Sequence, residues 1–286
     1  MGIDVSIIIV NYNTKQLTSD CIDSIVEKTQ GISYEIILVD NASTDGSKEM
    51  FTKDDRITYI YSEKNGGFGY GNNLGMKVAK GSYFFLLNSD TLLANNAVKE
   101  FYEYAESKNQ KKVYGCYLQN ANGQHCCSSF FFPAFTIKEF LKRFWGKQQK
   151  EIFDSQIRNV EAISGADMFF HREIYDKIGG FDEQIFLYGE EGEWEYRMLK
   201  AGYPCCIIPQ PKIIHLEGQS MKMSPTKMAI KWKSHFYILK KHMSYPTYFL
   251  ARVYYAINLL TRNFSHLMDT EYAPYFRVIL TPVNKK

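Results

Sequence analysis

The chain has 286 residues, of which 45% are hydrophobic, 23% charged and 15% aromatic. That is enough apolar chain to bury a sizeable core, and it excludes wholesale disorder. A net charge of only +3 gives no ground for a nucleic-acid partner, and no signal-peptide pattern precedes the first apolar run.

In chain order, Val5–Val10 is a continuous apolar run, the mark of a strand buried on both faces. Thr14–Thr29 carries Leu17, Cys21, Ile25 and Val26 at helical spacing. Tyr34–Val39 reads as a second buried strand, and Ser43-Thr44-Asp45 as the start of a helix. Then come a strand over Ile57–Tyr61, a helix over Tyr70–Ala79 and the most apolar strand, Tyr83–Leu87. Strands alternating with helices predict an α/β fold with a mostly parallel central sheet flanked by helices.

In such sheets ligands bind at the carboxyl ends of the strands. Asn11-Tyr12-Asn13, Asp40-Asn41 and Asn88-Ser89-Asp90 stand there. Asp90 reads either as part of a capped turn before the helical stretch from Asn95 or as a carboxylate holding a divalent cation. The loop Asn65-Gly66-Gly67-Phe68-Gly69-Tyr70-Gly71 precedes a helix, so its amides can approach a phosphate or sugar. It is not a dinucleotide fingerprint, because Asn72 and Leu74 occupy the places of the third glycine, which counts against a nicotinamide-dependent dehydrogenase.

The second half is less regular. Cys116–Pro133 reads as loop and short strands, Phe135–Trp145 as a helix and Ala162–Phe170 as a strand. Glu190–Ala201 is a helix ended by Gly202, opened by Glu190, Glu191 and Glu193. Acidic residues in a first turn suit the helix dipole, and adjacent carboxylates also raise one another's pKa, which suits a general base. Glu193 and Arg197, four apart, read as a helix-supporting pair. Cys205–Ile208 and Lys212–His215 are short strands; His215 is either merely hydrogen-bonded or a metal ligand completing a site begun by Asp90. Adjacent cysteines, Cys126–Cys127 and Cys205–Cys206, suit neither zinc nor a disulfide framework, so reduced thiols and a cytoplasmic location are expected.

A helix is expected over Pro225–His242 and an amphipathic one over Pro246–Phe264. On the latter Phe249, Val253, Ile257 and Leu260 share one face, while Arg252, Tyr255, Asn258 and Arg262 lie on another. Arg252 and Asn258 also break the stretch from Tyr245 to Leu260, which argues against a membrane span. Residues 201–286 hold 12 Lys or Arg against 3 Asp or Glu, leaving −6 on residues 1–200. The basic end either contacts an anionic membrane peripherally, at the inner face of the cell membrane, or docks on the protein's own core.

These strand-end segments together resemble the inverting nucleotide-sugar glycosyltransferases of family 2, and in particular their rhamnosyltransferase-like members. The matching segments are Val5–Asn13, Val39–Ser47, Asn65–Gly69 with Asn72–Gly75, Leu87–Thr91, Ser164–Ala166, Gly179–Asp182, Leu187–Glu191 and His215–Ser220. The resemblance implies a GT-A fold over residues 1–220, with a nucleotide-binding half to about 118 and an acceptor half over 119–220. Residues 221–286 would be a helical, basic, aromatic-rich C-terminal extension.

The resemblance also implies roles. Tyr12 would stack on the nucleobase beside Asn11, and Asp40 would bond the base or ribose, supported by Asn41 and Asp45. Asn65, Gly67, Asn72, Asn88 and Ser89 would line the nucleotide-sugar pocket. Asp90 and His215 would hold Mg²⁺ or Mn²⁺ on the diphosphate. Glu191, preceded by Glu190, falls at the catalytic base, so either carboxylate can serve; Gly165, Ala166 and Trp194 would lie on the acceptor side. The implied activity moves a sugar from a UDP-, dTDP- or GDP-linked donor to a glycan or lipid-linked acceptor in surface polysaccharide or glycolipid synthesis. Asn88 in place of a carboxylate, and Glu191 in place of Asp, also admit a relative that binds nucleotide or glycan without turnover.

Overall fold

The computed structural model describes residues 2–139, 153–216, 224–262, 266 and 269–281. Its strands are β1 (Val5–Asn11), β2 (Tyr34–Asp40), β3 (Thr58–Tyr61), β4 (Tyr83–Asn88), β5 (Thr91–Leu93), β6 (Val113–Cys116), β7 (Ser129–Phe130), β8 (Arg158–Val160), β9 (Ala162–Ile163), β10 (Asp167–His171), β11 (Cys205–Ile208) and β12 (Ile213–His215). Its helices are α1 (Lys15–Lys28), α2 (Ser47–Phe51), α3 (Phe68–Val78), α4 (Ala97–Glu106), α5 (Arg172–Ile178), α6 (Glu190–Lys200), α7 (Pro225–His242), α8 (Tyr245–Arg262) and α9 (Ala273–Leu280).

Among the described residues the main sheet has eight strands in the order β3-β2-β1-β4-β10-β6-β11-β8. β3, β2, β1 and β4 run parallel, β10 is antiparallel to both its neighbours, and β6 and β11 are parallel to each other. The chain leaves β1 for β2 on one side and returns for β4 on the other. That reversal opens a crevice at the strand ends.

Continuous apolar runs form the centre because both faces are covered. Ile7 and Ile9 pack with Cys21, Ile22 and Ile25 of α1 and Phe101 of α4. Ile8, pointing the opposite way, packs with Met76 of α3, Ile174 of α5 and Trp194 and Met198 of α6. The helix α3 lies close on β1: a Cβ added at Gly75 would sit 2.4 Å from Ile8 Cγ2.

Two expected elements differ. The strand expected over Ala162–Phe170 is two strands, β9 paired with β7 and β10 inside the main sheet, parted at Ser164-Gly165-Ala166. An apolar run does not show periodicity enough to reveal such a break. The helix expected from Ser43–Asp45 begins at Ser47, because Asp45 instead accepts hydrogen bonds from the Lys15 and Ser47 backbone. The helix expected over Phe135–Trp145 falls largely outside the described residues, as do Glu217–Ser220 of the last motif. None of the six cysteines, all described, forms a disulfide.

The chain divides into two compact units, one of residues 1–132, 151–183 and 191–219 and one of residues 133–150, 184–190 and 220–286. The first holds the main sheet. In the second, α7, α8 and α9 pack together around Phe236, Leu239, Tyr275 and Phe276. Here α8 turns a mixed side inward. Arg252 stacks on Phe236 and donates to the backbone oxygens of Val278, Ile279 and Thr281, while Tyr248, Ala251 and Leu259 are buried beside it. No described helix is long and apolar enough to cross a membrane.

Candidate functional site

The site lies in the first unit, at the carboxyl ends of β1, β2 and β4. Asn11, the last residue of β1, is fully buried, and its amide is wholly engaged. Its oxygen accepts from Thr14 N at 3.2 Å, Thr14 Oγ1 at 2.8 Å and Thr18 Oγ1 at 3.1 Å; its nitrogen donates to Ser43 Oγ at 3.1 Å. Asn11 therefore ties the turn after β1 to the loop after β2. Asn13 N also donates to Ser43 Oγ, and Thr44 N to Asn13 Oδ1. Asn13 and Ala42 sit in the left-handed region, with φ of 55° and 63°, so two non-glycine residues hold strained backbone at this rim. Tyr12, just before Asn13, is exposed.

Asp40 is fully buried, with Oδ1 accepting from Ser43 N at 2.9 Å and Oδ2 from Tyr59 OH at 2.8 Å. Asn41 is buried beside it and donates to the Gly67 carbonyl at 2.9 Å, fastening the glycine-rich loop to β2. Its Oδ1 is buried and has no hydrogen-bond partner among the described residues. Asn65 Oδ1 accepts from Gly67 N at 3.0 Å, and Gly67 adopts φ +91°, so the loop turns into α3 where a side chain would be strained. Asn72 differs from expectation: it is buried and its amide donates one turn back to the Phe68 carbonyl, so its side chain serves the helix.

Ser89, just past β4, meets Thr14 Oγ1 at 3.1 Å, which joins the third strand end to the first two. Pairing of β12 with β5 sets His215 opposite Thr91 and brings its Nε2 within 3.2 Å of Asp90 Oδ1. Both side chains are nearly buried. Among the described residues no third His, Cys, Asp or Glu joins them. A carboxylate and an imidazole brought this close make a donor pair that would suit Mg²⁺ or Mn²⁺. The remaining positions would fall to ligand oxygens or water.

Glu191 stands in the first turn of α6, half-buried. A Cβ at Gly165 would lie 3.7 Å from Glu191 Cβ and 3.4 Å from the Phe68 ring, so Gly165, Glu191 and the start of α3 converge. Glu190 is buried, and the boundary between the units falls between these two glutamates. Ala166 is buried and accepts from Asn88 N through its carbonyl at 3.1 Å. Trp194 corrects its expected acceptor-side place. It is fully buried, meets Phe170 edge to face and Phe181 at a tilt, and donates to the Gly179 carbonyl at 2.8 Å, so it is core. Arg197 pairs with Glu193 as expected and also donates to the Ile178 and Gly180 carbonyls.

Several residues escaped the sequence reading. Asp167 opens β10, fully buried, accepting from Cys116 N at 2.6 Å; burial pushes its carboxyl up to about 8. Glu195 is equally buried, accepting from Ile163 N and Cys205 Sγ, and burial holds it well above the usual carboxylate range. For Asp167 the signal was a lone acid in an apolar run; Glu195, the fourth Glu within residues 190–195, had none. Asn73 clasps the Phe181 backbone through both amide atoms and reaches Glu183; nothing in its spacing set it apart from Asn72.

The profile described as "Glycosyl transferase family 2" matches residues 6–179 of the chain. The chain is 32% identical over 132 residues to "Glycosyltransferase GlyG" of Streptococcus pneumoniae, spanning 45% of this chain and 42% of that protein. It is 21% identical over 256 residues to "dTDP-rhamnosyl transferase RfbF" of Shigella flexneri, spanning 85% and 82%. The chain thus covers under half the length of the first of these relatives. Its fold is similar to the crystal structure of GalNAc-T7 with UDP, GalNAc and Mn²⁺, with a TM-score of 0.64 at 16% identity over 84% of this chain and 48% of that one.

Proposed function

Because the chain belongs to glycosyl transferase family 2, we propose that it transfers a sugar, with inversion, from a nucleoside-diphosphate sugar to a hydroxyl of a glycan or lipid-linked acceptor. Surface polysaccharide or glycolipid synthesis is the setting this reading implies. The fold is GT-A. The observation that carries the reading is the convergence of three strand ends at the switch between β1 and β4, closed by the Asp90–His215 pair.

On this reading the exposed Tyr12 stacks on the base. Asn11 and Asp40, fully engaged with protein groups, act by fixing the loops that carry Tyr12, Asn41 and Gly67. Asn88 and Ser89 border the sugar and diphosphate. Asp90 and His215 hold Mg²⁺ or Mn²⁺, which when bound supplies positive charge against the leaving diphosphate. Glu191 takes the proton of the acceptor hydroxyl as that oxygen bonds to the anomeric carbon. The carbon–phosphate oxygen bond breaks on the opposite face, and its electron pair leaves with the nucleoside diphosphate. Glu191 is favoured over Glu190 because it is the less buried of the two and adjoins Gly165. Base assistance of this kind is worth about 10²–10⁴-fold.

The test is calorimetric titration of UDP, dTDP and GDP, with and without Mn²⁺, followed by transfer assays with the donor that binds. Metal-dependent binding of one diphosphate is expected. Silence from all three with folded protein would overturn the reading.

A further inference from the structure

Helix α8 is amphipathic, and the structure leaves much of its apolar face outside. Its polar residue Arg252 is turned in, held by three backbone oxygens and the Phe236 ring. Its apolar side is left outside: Tyr245 is 76% exposed, Phe249 57%, Leu250 58%, Val253 42% and Ile257 59%. Positions 249, 253 and 257 recur every four residues and Leu250 adjoins them, so these side chains form one stripe along three turns. Leu280, 63% exposed, ends the helix α9 whose last carbonyls Arg252 holds. The helix buries Tyr248, Ala251 and Leu259 against its own unit, yet leaves this larger apolar stripe uncovered. A contiguous exposed stripe of this kind marks a binding surface.

The charge around it selects the occupant. The second unit carries 16 Lys or Arg against 4 Asp or Glu, a balance of +12. Lys240, Lys241 and His242 end α7, immediately before the stripe begins at Tyr245, and Lys231, Lys233 and Lys241 are exposed. Two copies of so basic a unit repel one another, whereas an anionic lipid surface attracts it. A polyanion without apolar depth would leave the stripe wet.

We infer that the outward face of α8 seats in the interface of an anionic lipid bilayer, with the basic turn of α7 at the headgroups. The helix lies in the membrane plane rather than crossing it, as its length and Arg252 require. The inference stands apart from the transferase reading, because membrane seating needs no turnover. It would set the chain at the surface where a lipid-linked acceptor is found.

Flotation of the full chain with vesicles tests it. Vesicles of mixed phosphatidylglycerol and phosphatidylcholine should carry the protein upward at low salt, and vesicles of phosphatidylcholine alone should carry much less. The double variant Leu250→Glu/Ile257→Glu should lower the floated fraction by about tenfold or more, from the loss of two inserted side chains. Both positions are exposed, so circular dichroism and the unfolding midpoint should match wild type. Failure of wild type to float with either vesicle would overturn the inference, as would equal flotation of the variant. A dimer in sedimentation that the same variant dissociates, with no flotation, would also overturn it and make the stripe a contact between copies.

Discussion

Asn11 shows how a residue at a site's centre can act without touching a ligand. All four of its side-chain hydrogen bonds are internal and two are buried, so Asn11→Ala should destabilise the protein by about 2–3 kcal/mol, measured by denaturant unfolding. Tyr12→Ala, one residue on but exposed, should leave stability within about 0.5 kcal/mol while weakening nucleotide binding in calorimetry. Glu191→Gln should cut transfer by about 10²–10⁴-fold with donor binding retained. Preserved turnover would hand the base role to Glu190. The sequence could place Asn11 and Tyr12 at one strand end, because a polar residue closing an apolar run is visible in the letters. It could not separate them, since loop-fixing and ligand contact both call for a polar residue there.

At the scale of elements, α3 rests on β1 through Gly75, with Ile8 filling the space a methyl would take. Ile8 is buried and cannot retreat cheaply, so Gly75→Ala should cost about 1–3 kcal/mol despite its better helix propensity, and unfolding midpoints would show it. Strand β10 carries a pH dependence. Asp167 keeps its proton in the fold up to about 8, against an ordinary value of 3.8. Between those values the unfolded chain has released a proton that the folded chain retains, so stability falls as pH rises. One such group contributes a slope of at most about 1.4 kcal/mol per pH unit. Asp167→Asn should flatten the fall in unfolding free energy between pH 5 and 8; an unchanged slope would mean that Asp167 is ionised in the fold. The parallel strands were legible because burial on both faces writes an unbroken apolar run. The β9–β10 break was not, because Ser164-Gly165-Ala166 interrupts no period. Nor was the orientation of α8: amphipathicity says that a helix has two faces, and only its neighbours decide which is inward.

At the scale of the molecule, ligand binding and stability are linked. If the proposed site binds UDP with Mn²⁺, ligand at a hundred times its dissociation constant should stabilise the fold by about 2.7 kcal/mol, seen as a raised unfolding midpoint. EDTA should remove most of that gain, and Asp90→Ala should never show it. A wild-type gain indifferent to EDTA would take Asp90 and His215 out of a metal site. Charge is divided as sharply as structure: the second unit's +12 against a whole-chain +3 leaves −9 on the first. The lopsidedness was plain in the sequence. That residues 133–150 and 184–190 group with the C-terminal helices was not, since long-range packing rather than local sequence decides which unit a segment joins.

The strand order has a consequence for synthesis. β4, the most apolar strand, finds β1 already made, but its other neighbour is β10, whose last residue follows Asn88 by 83 positions. At about 5–20 residues per second, the emerging chain holds that hydrophobic edge open for roughly 4–17 seconds. Another nascent strand could pair there first. The demand for a chaperone should therefore peak while the middle third of the chain is being made, and ease once Asp167–His171 arrives.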